Sequence, residues 1–429
     1  MLDIKYIREN KEAVREAIKN KNIVLNLDEL LATDEKRRAL IQKSETLRAE
    51  QKKLGKEDIA KAKCLKEDYL KLSEELKWAE QKFEESMVKV PTVPSSDTPI
   101  GKNSDDNKEV LRWGKIPQFK FEPKDHIALG RDLDILDLER GAKVAGYRGY
   151  YLKNEGAILA LALMFYVFQK MVKKGFAPMI PPTLVNAFAL FGSGYFAGQE
   201  YNPEQDEIYQ IASADKESSG AVSGEKKFLV GTAEPVLLAY HSNETLKEAD
   251  LPKKICGFSQ CYRSEIGSYG KDTKGIYRVH EFMKVEQVVL CRASIEESTK
   301  LQDEMLKLSR ELHEDLGLPY RVLQICTGDM SPGKYRAFDI ETWLAGTKRW
   351  AETGSASNFL DWQARRLNVR YLDKKGETKF VYMLNNTALA TPRTLMAILE
   401  NFQQKDGSVA IPKVLRGLCS FKKISPKKL

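Results

Sequence analysis

None of the six cysteines in this 429-residue chain (64, 256, 261, 291, 326 and 419) forms a C-x-x-C pair, and its four histidines are scattered. That spacing argues against a disulfide framework and a Cys/His zinc site, and predicts reduced, mostly buried thiols. No Ser/His/Asp or Cys/His constellation for nucleophilic catalysis stands out either. Long apolar runs are also missing: none approaches the roughly 20 residues that cross a bilayer, and the start, MLDIKYIREN, is charged. The expectation is a chain with no signal peptide, no transmembrane helix, no membrane partner and a cytoplasmic location. The formal net charge of +8 is compatible with a polyanionic partner but does not identify one. The length suffices for two or three domains and a large core.

Glycine and proline are almost absent from Asp34 to Val90, where Lys, Glu, Leu and Ala dominate, the composition of a long helix. Leu65, Tyr69, Leu72, Leu76, Ala79, Phe83, Ser86 and Val90 alternate at spacings of four and three, a coiled-coil seam, and Leu40, Ser44, Leu47, Gln51 and Leu54 make a weaker one. A break near Lys61 to Cys64 would fold the halves into an antiparallel hairpin with helices about 40 Å long. Residues 36–66 hold eleven Lys/Arg against four Asp/Glu, and 67–88 three against seven. A solvated, ion-paired helix is the ordinary reading of such charge; one basic helix is better explained by RNA phosphates. The arm stops at VPTVPSSDTPIGKNSDDN, whose prolines cannot continue a helix. This predicts an N-terminal domain over 1–110, with its arm at about 34–90, and a second domain over 111–429. In the second, helical stretches (157–174, 294–316, 394–401) mix with strands (227–230, 254–263, 278–291, 321–327, 381–384) that follow one another directly. The fold class is therefore α+β, an antiparallel sheet flanked by helices. The polar segment Gln199 to Lys227 reads as a surface loop.

The stretch CYRSEIGSYGKDTKGIYRVHEFMKVE, Cys261 to Glu286, sets a glycine-punctuated basic loop between two strands. Alternation puts Arg278, His280, Phe282, Lys284 and Glu286 on one face. A wet face of an amphipathic strand is the plain reading. Arg263 and Glu265 at the other foot add a different one: two arginines flanking such a loop suit phosphate oxygens, which guanidinium groups hold in a bidentate fork. An aromatic between them can stack a purine.

Y-R-S-E, the loop and R-V-H-E-F-x-K-V-E resemble motif 2 of class II aminoacyl-tRNA synthetases in the form found in the seryl-tRNA synthetase family. The resemblance continues in order through HIALG, GTAEP, LGLPYR, CTGDM, WQARR, ALATPRT and ENFQQ, over essentially the whole chain. It implies a class II catalytic domain and serine–tRNA ligase chemistry: L-serine and ATP give seryl-adenylate, and serine passes to the 3′ end of serine tRNA. The attacking carboxylate is already ionised, so this first step needs positioning and charge neutralisation rather than a general base. By matching positions, Arg263 and Arg393 are the implied catalytic arginines, Arg263 at the α-phosphate and serine carboxylate and Arg393, from motif 3, opposite the γ-phosphate. Arg278 would hold the γ-phosphate, Phe282 would stack on adenine, and Ser264, Glu265, Thr353 and Gly354 complete the ATP set. Glu352 and Ser355 would hold Mg²⁺, a cation that prefers hard oxygen ligands. The family form there is closer to E-I-S-S-C-S-N, so Thr353, Gly354 and Ala356 depart from it, as Pro392 departs from a common glycine. Thr232, Ala233 and Glu234 are assigned with Arg263, Glu286 and Thr387 to serine, Thr232 and Glu234 at the amine and Glu286 and Thr387 at the hydroxyl. Lys52, Lys53 and Lys56 are the implied tRNA contacts of the arm. Pro182 of MIPPTLV resembles the motif 1 proline, which implies a homodimer.

Two other readings stay open on sequence. One is a synthetase-like paralogue that loads an amino acid onto a non-tRNA acceptor, against which the basic arm argues. The other is a coiled-coil RNA-binding protein with an inactive body, against which the retained Arg263, Arg278, Glu286, Glu352 and Arg393 argue.

Overall fold

The computed structural model describes residues 1–54, 59–196, 198–213, 216, 219–266 and 274–426. The chain divides into two compact units, Met1–Val93 and Pro94–Leu429.

In the first unit, Asn26 caps helix α1 (Leu27–Gln51) by accepting from the N–H groups of Asp28 and Glu29, and Asp28 and Glu29 place negative charge in the first turn, where the helix dipole favours it. Helix α2 (Ile59–Met87) follows. Arg48 meets Tyr69, while Lys36 and Arg37, earlier on α1, meet Trp78 and Phe83, later on α2, in cation–π contacts. The arm is thus an antiparallel hairpin. The break expected at Lys61 to Cys64 falls inside α2, which runs on from Ile59, while α1 ends at Gln51 and begins seven residues before Asp34. The basic run 36–66 accordingly covers the far part of α1 and the first residues of α2 instead of a single helix. The root of the arm is sealed by Ile7, Val14, Leu27, Leu30, Met87 and Val90. Asp34 is fully buried there, and its carboxylate pairs with Arg8, Arg37 and Arg38 at 3.5, 3.3 and 3.2 Å.

The second unit is built on eight strands: β1 (Lys108–Trp113), β2 (Ala177–Met179), β3 (Lys253–Tyr262), β4 (Glu281–Cys291), β5 (Tyr320–Gln324), β6 (Arg336–Leu344), β7 (Arg349–Asn358) and β8 (Tyr382–Ala390). They lie in the order β1-β5-β6-β7-β8-β4-β3-β2. Only the β2–β3 pair is parallel. Residues 94–110, grouped with the arm on sequence, lie with this unit: Ser95 N–H donates to Tyr335 O at 2.9 Å, Thr327 N–H to Pro99 O at 2.9 Å, and β1 is an edge strand of the sheet.

Helices α3 (Glu155–Lys173), α4 (Ile295–Leu316) and α5 (Thr391–Asn401) bury one face of the sheet, packing Leu159, Leu163, Leu312 and Met396 against Val285 and Val289. The other face carries Val288 and Leu290 under Leu237, Leu238 and Leu367, and opens into a cleft at Phe282 and Lys284. Helix α3 corrects the expectation from apolar runs, for it is long and apolar enough to cross a membrane by length and composition. Leu159, Leu163, Met164, Val167 and Met171 are nevertheless buried in the protein core, while Ile158, Leu161, Phe165 and Val172 form an exposed stripe. Part of the supposed surface loop 199–227 is also packed. Asp206 and Ile208 are buried, and Tyr209–Gln210 pairs with Lys227–Leu229, because Ile208 completes a small core with Phe196, Phe228 and Val230.

Asp34 offers a direct test of the arm's root. Asp34→Ala strands three arginines that share one buried carboxylate, and is expected to cost the first unit about 2 kcal/mol or more. Urea unfolding followed by far-ultraviolet circular dichroism reads the loss; an unshifted curve would remove Asp34 from the anchoring.

Candidate active site

The β3–β4 ladder pairs continuously from Tyr262 opposite Glu281 to Lys253 opposite Leu290. At its open end β3 is one residue shorter and β4 three residues shorter than the sequence predicts, so Arg263 and Arg278 sit beyond the ladder. The turn away begins at Glu265, whose φ of 54° is left-handed. The backbones still hold: Arg263 N–H donates to His280 O at 2.9 Å, and His280 Nδ1 meets Arg263 O at 2.9 Å. His280 therefore braces the foot of the hairpin and does not line the cleft.

The cleft is lined by Arg263, Glu265, Arg278, Phe282, Glu352, Thr353, Gly354, Thr387 and Arg393, nine positions anticipated from sequence, together with Tyr277, Val279, Lys284, Ala390 and Pro392. Each cation is oriented. Arg263 lies over the Phe282 ring, 5.6 Å from its centroid, and its Nε donates to Gly231 O at 3.2 Å. Arg393 enters from the first turn of α5, where Pro392 suits a helix start. Its Nη1 donates to Glu352 O at 2.8 Å, its Nε to Tyr277 O at 3.3 Å, and it lies over the Tyr277 ring. Arg278 Nη1 donates to Glu265 Oε2 at 3.1 Å. The result is three guanidinium groups around one apolar-floored slot, an arrangement that fits a polyanion with a flat ring.

A deeper polar pocket adjoins it. Glu286 Oε2 accepts from Thr232 Oγ1 at 3.3 Å and Thr387 Oγ1 at 3.4 Å, and lies 2.6 Å from Lys284 Nζ. Glu234 is buried beside it and accepts from Gln363 Nε2 and Asn385 Nδ2, both at 2.8 Å, and from Tyr195 OH at 3.3 Å. Burial, with the nearby Glu286 carboxylate, raises its pKa to about 7. Ala233 packs in the core and only sets the chain for Thr232 and Glu234.

Ser355 and Ser264 do not line the cleft. Ser355 pairs across to Asp339, whose carboxyl is held well above the usual range by burial and by the facing Glu352. Thr353 reaches the cleft, but its hydroxyl is engaged behind the sheet by His313 Nε2 at 2.8 Å and by Thr342 Oγ1 at 2.8 Å. Lys52 and Lys53 are exposed in the first unit, at the end of α1; Lys56 lies outside the described residues.

Sequence reasoning missed several residues that hold this site. Tyr277, Asp339, Asn385 and Tyr195 carry no local pattern. Gln363 and His126 were visible inside WQARR and HIALG, where each is the polar side chain that turns inward. His126 Nδ1 lies 2.9 Å from Glu400 Oε1 and its Nε2 accepts from Ile276 N–H at 3.3 Å, tying the foot of the basic loop to α5. Gly275 has φ 72° there, and a Cβ on it would lie 2.1 Å from His126 Nε2, so only glycine fits.

This geometry meets a consistent set of relatives. A family model described as the seryl-tRNA synthetase N-terminal domain matches residues 1–94, and one described as the class II tRNA synthetase core domain (G, H, P, S and T) matches 221–402. The chain is 40% identical over 440 residues to a serine–tRNA ligase of Treponema denticola, covering 99% of this chain and 100% of the relative. The chain belongs to the seryl-tRNA synthetase family. Among solved structures, the seryl-tRNA synthetase of Pyrococcus horikoshii complexed with ATP superposes with a TM-score of 0.89 at 36% identity, covering 100% of both chains. The cytoplasmic serine–tRNA ligase of Naegleria fowleri in complex with AMP gives 0.87 at 32%, covering 100% of this chain and 99% of that one. The likeness spans arm and body alike, which favours a tRNA ligase over the paralogue and over the inactive RNA-binding body.

The raised pKa of Glu234 has a measurable consequence for an amino acid whose ammonium group binds against it. Below about pH 7 the carboxyl holds a proton that must leave before it can pair with the cation. The KM for serine should therefore climb as pH falls through 7, towards about tenfold per unit at the limit. Glu234→Gln should bind serine weakly with a flattened profile; an unchanged slope in that variant would assign the titration elsewhere.

Proposed function

We propose that this chain is a serine–tRNA ligase, which joins L-serine to ATP as seryl-adenylate with release of pyrophosphate and passes serine to the 3′ end of serine tRNA. The observation that carries it is the adjacency of the three-arginine slot to the pocket of Thr232, Glu234, Glu286 and Thr387. A triphosphate with a purine fits the first. A small zwitterion with a hydroxyl fits the second.

In this reading the serine carboxylate attacks the α-phosphorus directly. Arg263 draws the carboxylate and an α-phosphate oxygen together and neutralises both, while Phe282 stacks on the adenine. Arg278 and Arg393 hold the γ-phosphate and stabilise the departing pyrophosphate. Ser264, Glu265, Thr353 and Gly354 shape the nucleotide's berth, Gly354 by its backbone, since a side chain there would press within 3.3 Å of Thr387 O. The serine ammonium goes to Glu234 and Thr232. Its hydroxyl goes to Glu286 and Thr387; alanine would leave those groups unpaired, which disfavours it strongly.

A magnesium ion fits the donor set. Glu352 presents hard oxygens to the cleft, Ser355 lies behind it against Asp339, and the raised carboxyl of Asp339 near Glu352 marks a place where negative charge lacks enough compensation. Glu352 and Ser355 would hold the ion, which would supply neutralisation of phosphate charge.

The arm is proposed to bind tRNA through Lys52, Lys53 and Lys56, and the enzyme to work in the cytoplasm as a homodimer. The dimer reading rests on the stripe of α3, with Leu161 at 60% and Phe165 at 52% exposure, and on Ile180, 80% exposed just past the edge strand β2. An apolar stripe near an open sheet edge is what a symmetric copy covers.

Serine-dependent ATP–pyrophosphate exchange and charging of purified serine tRNA test the function together. The intact chain should do both. Replacing 36–87 by a short flexible linker should keep exchange near normal and cripple charging; full-rate charging without the arm would make the arm a structural element. For the dimer, Leu161→Glu combined with Phe165→Glu should yield monomers in sedimentation velocity. A wild-type monomer, or a dimer that survives both changes, would overturn that part.

A further inference from the structure

Arg148, in the stretch GYRGYYL, has no part in the reading above, yet it is built into the site. It is 8% exposed and takes a left-handed φ of 67°, a conformation that L residues with long side chains rarely adopt. Its Nη1 lies 3.6 Å from Glu265 Oε2. The same oxygen receives Arg278 Nη1 at 3.1 Å, and Glu265 is itself 8% exposed with a φ of 54°. One buried carboxylate oxygen is thus shared by two arginines, of which only Arg278 lines the cleft.

We propose that Arg148 is a positioning residue for ATP, which keeps Glu265 neutralised so that Arg278 can leave it for the phosphate chain. This rests on the assignment of Arg278 to the γ-phosphate. Glu265 holds the Arg278 guanidinium at the cleft. When Arg278 turns to the phosphate, Glu265 gives up one of its ion pairs, and a buried carboxylate that loses compensation pulls its arginine back. Arg148 lowers that penalty, because its own pairing with Glu265 does not depend on Arg278. Tyr147, whose ring lies 5.2 Å from the Arg148 guanidinium, covers it on the outer side.

The test separates ATP from AMP, which carries no β- or γ-phosphate. In calorimetric titrations of the full chain, Arg148→Met should weaken ATP about tenfold or more and leave AMP within about twofold, with Arg148→Lys recovering part of the loss. Arg278→Ala is the control. If it leaves the ATP-to-AMP ratio unchanged, the γ-phosphate assignment fails. If it lowers the ratio while Arg148→Met weakens both ligands equally, or neither, the role of Arg148 fails. The double variant Arg148→Met/Glu265→Gln, which buries no lone charge, decides the route and also serves if the single variant does not fold. Its ratio should lie within about twofold of that of Glu265→Gln alone, since Arg148 acts through Glu265. A ratio about tenfold lower would mean that Arg148 meets the phosphates itself, and would overturn the proposal.

Discussion

Every cation in the cleft is already paired. Arg263 is held by the Gly231 carbonyl, Arg393 by the Glu352 and Tyr277 carbonyls, Arg278 by Glu265 and Lys284 by Glu286. Four positive side chains could not crowd into one slot otherwise, since like charges at such range repel and partly buried ones lose hydration. The rest of the fold serves this arrangement. The uninterrupted β3–β4 ladder sets Arg263 and Arg278 across one opening, the first turn of α5 delivers Arg393 from the side, and Thr391 ties that turn to β4 through Met283. Positive charge is in place before any substrate arrives, so little reorganisation is left for the moment of reaction.

What was legible in the sequence was what periodicity and neighbouring residues control. The apolar seam located the arm because helix packing repeats every three to four residues, and the prolines after Val90 marked its end. The hairpin was legible because its site residues lie within one 26-residue stretch. The break was placed inside α2 because Lys, Glu, Leu and Ala run on through both helices, so composition does not mark where one ends. Strand β7 escaped because RWAETGSASN looks polar, and some of its buried groups are satisfied by partners far along the chain, as when Asn358 donates to Ser298. Arg148, His126 and Gln363 escaped for the same reason. Each acts on a group more than 100 residues away.

The departures at Thr353 and Gly354 make sense against the layer behind them. Where the family pattern has a branched aliphatic residue, Thr353 bonds to His313, and burial holds the pKa of that imidazole down to about 4, so that it stays neutral. His313 Nδ1 in turn meets Ser309 O, and Ser309 Oγ joins Gln287, Asn386 and the carbonyl of Thr387. An ethyl group of isoleucine gives way to a hydroxyl, and a polar network takes up the hydroxyl. The chain that carries Glu352 and the one that carries Thr387 are thereby braced from the rear by one helix.

The arm is a lever with a small fulcrum. Asp34 sits seven residues past the start of α1, so the end of that helix at Gln51 stands about 26 Å from the cluster. Over that length a tilt of about 7° at the root carries the helix end sideways by roughly 3 Å, the reach of one hydrogen bond. The stiffness of a single carboxylate and three arginines therefore governs how far the exposed Lys52 and Lys53 can swing.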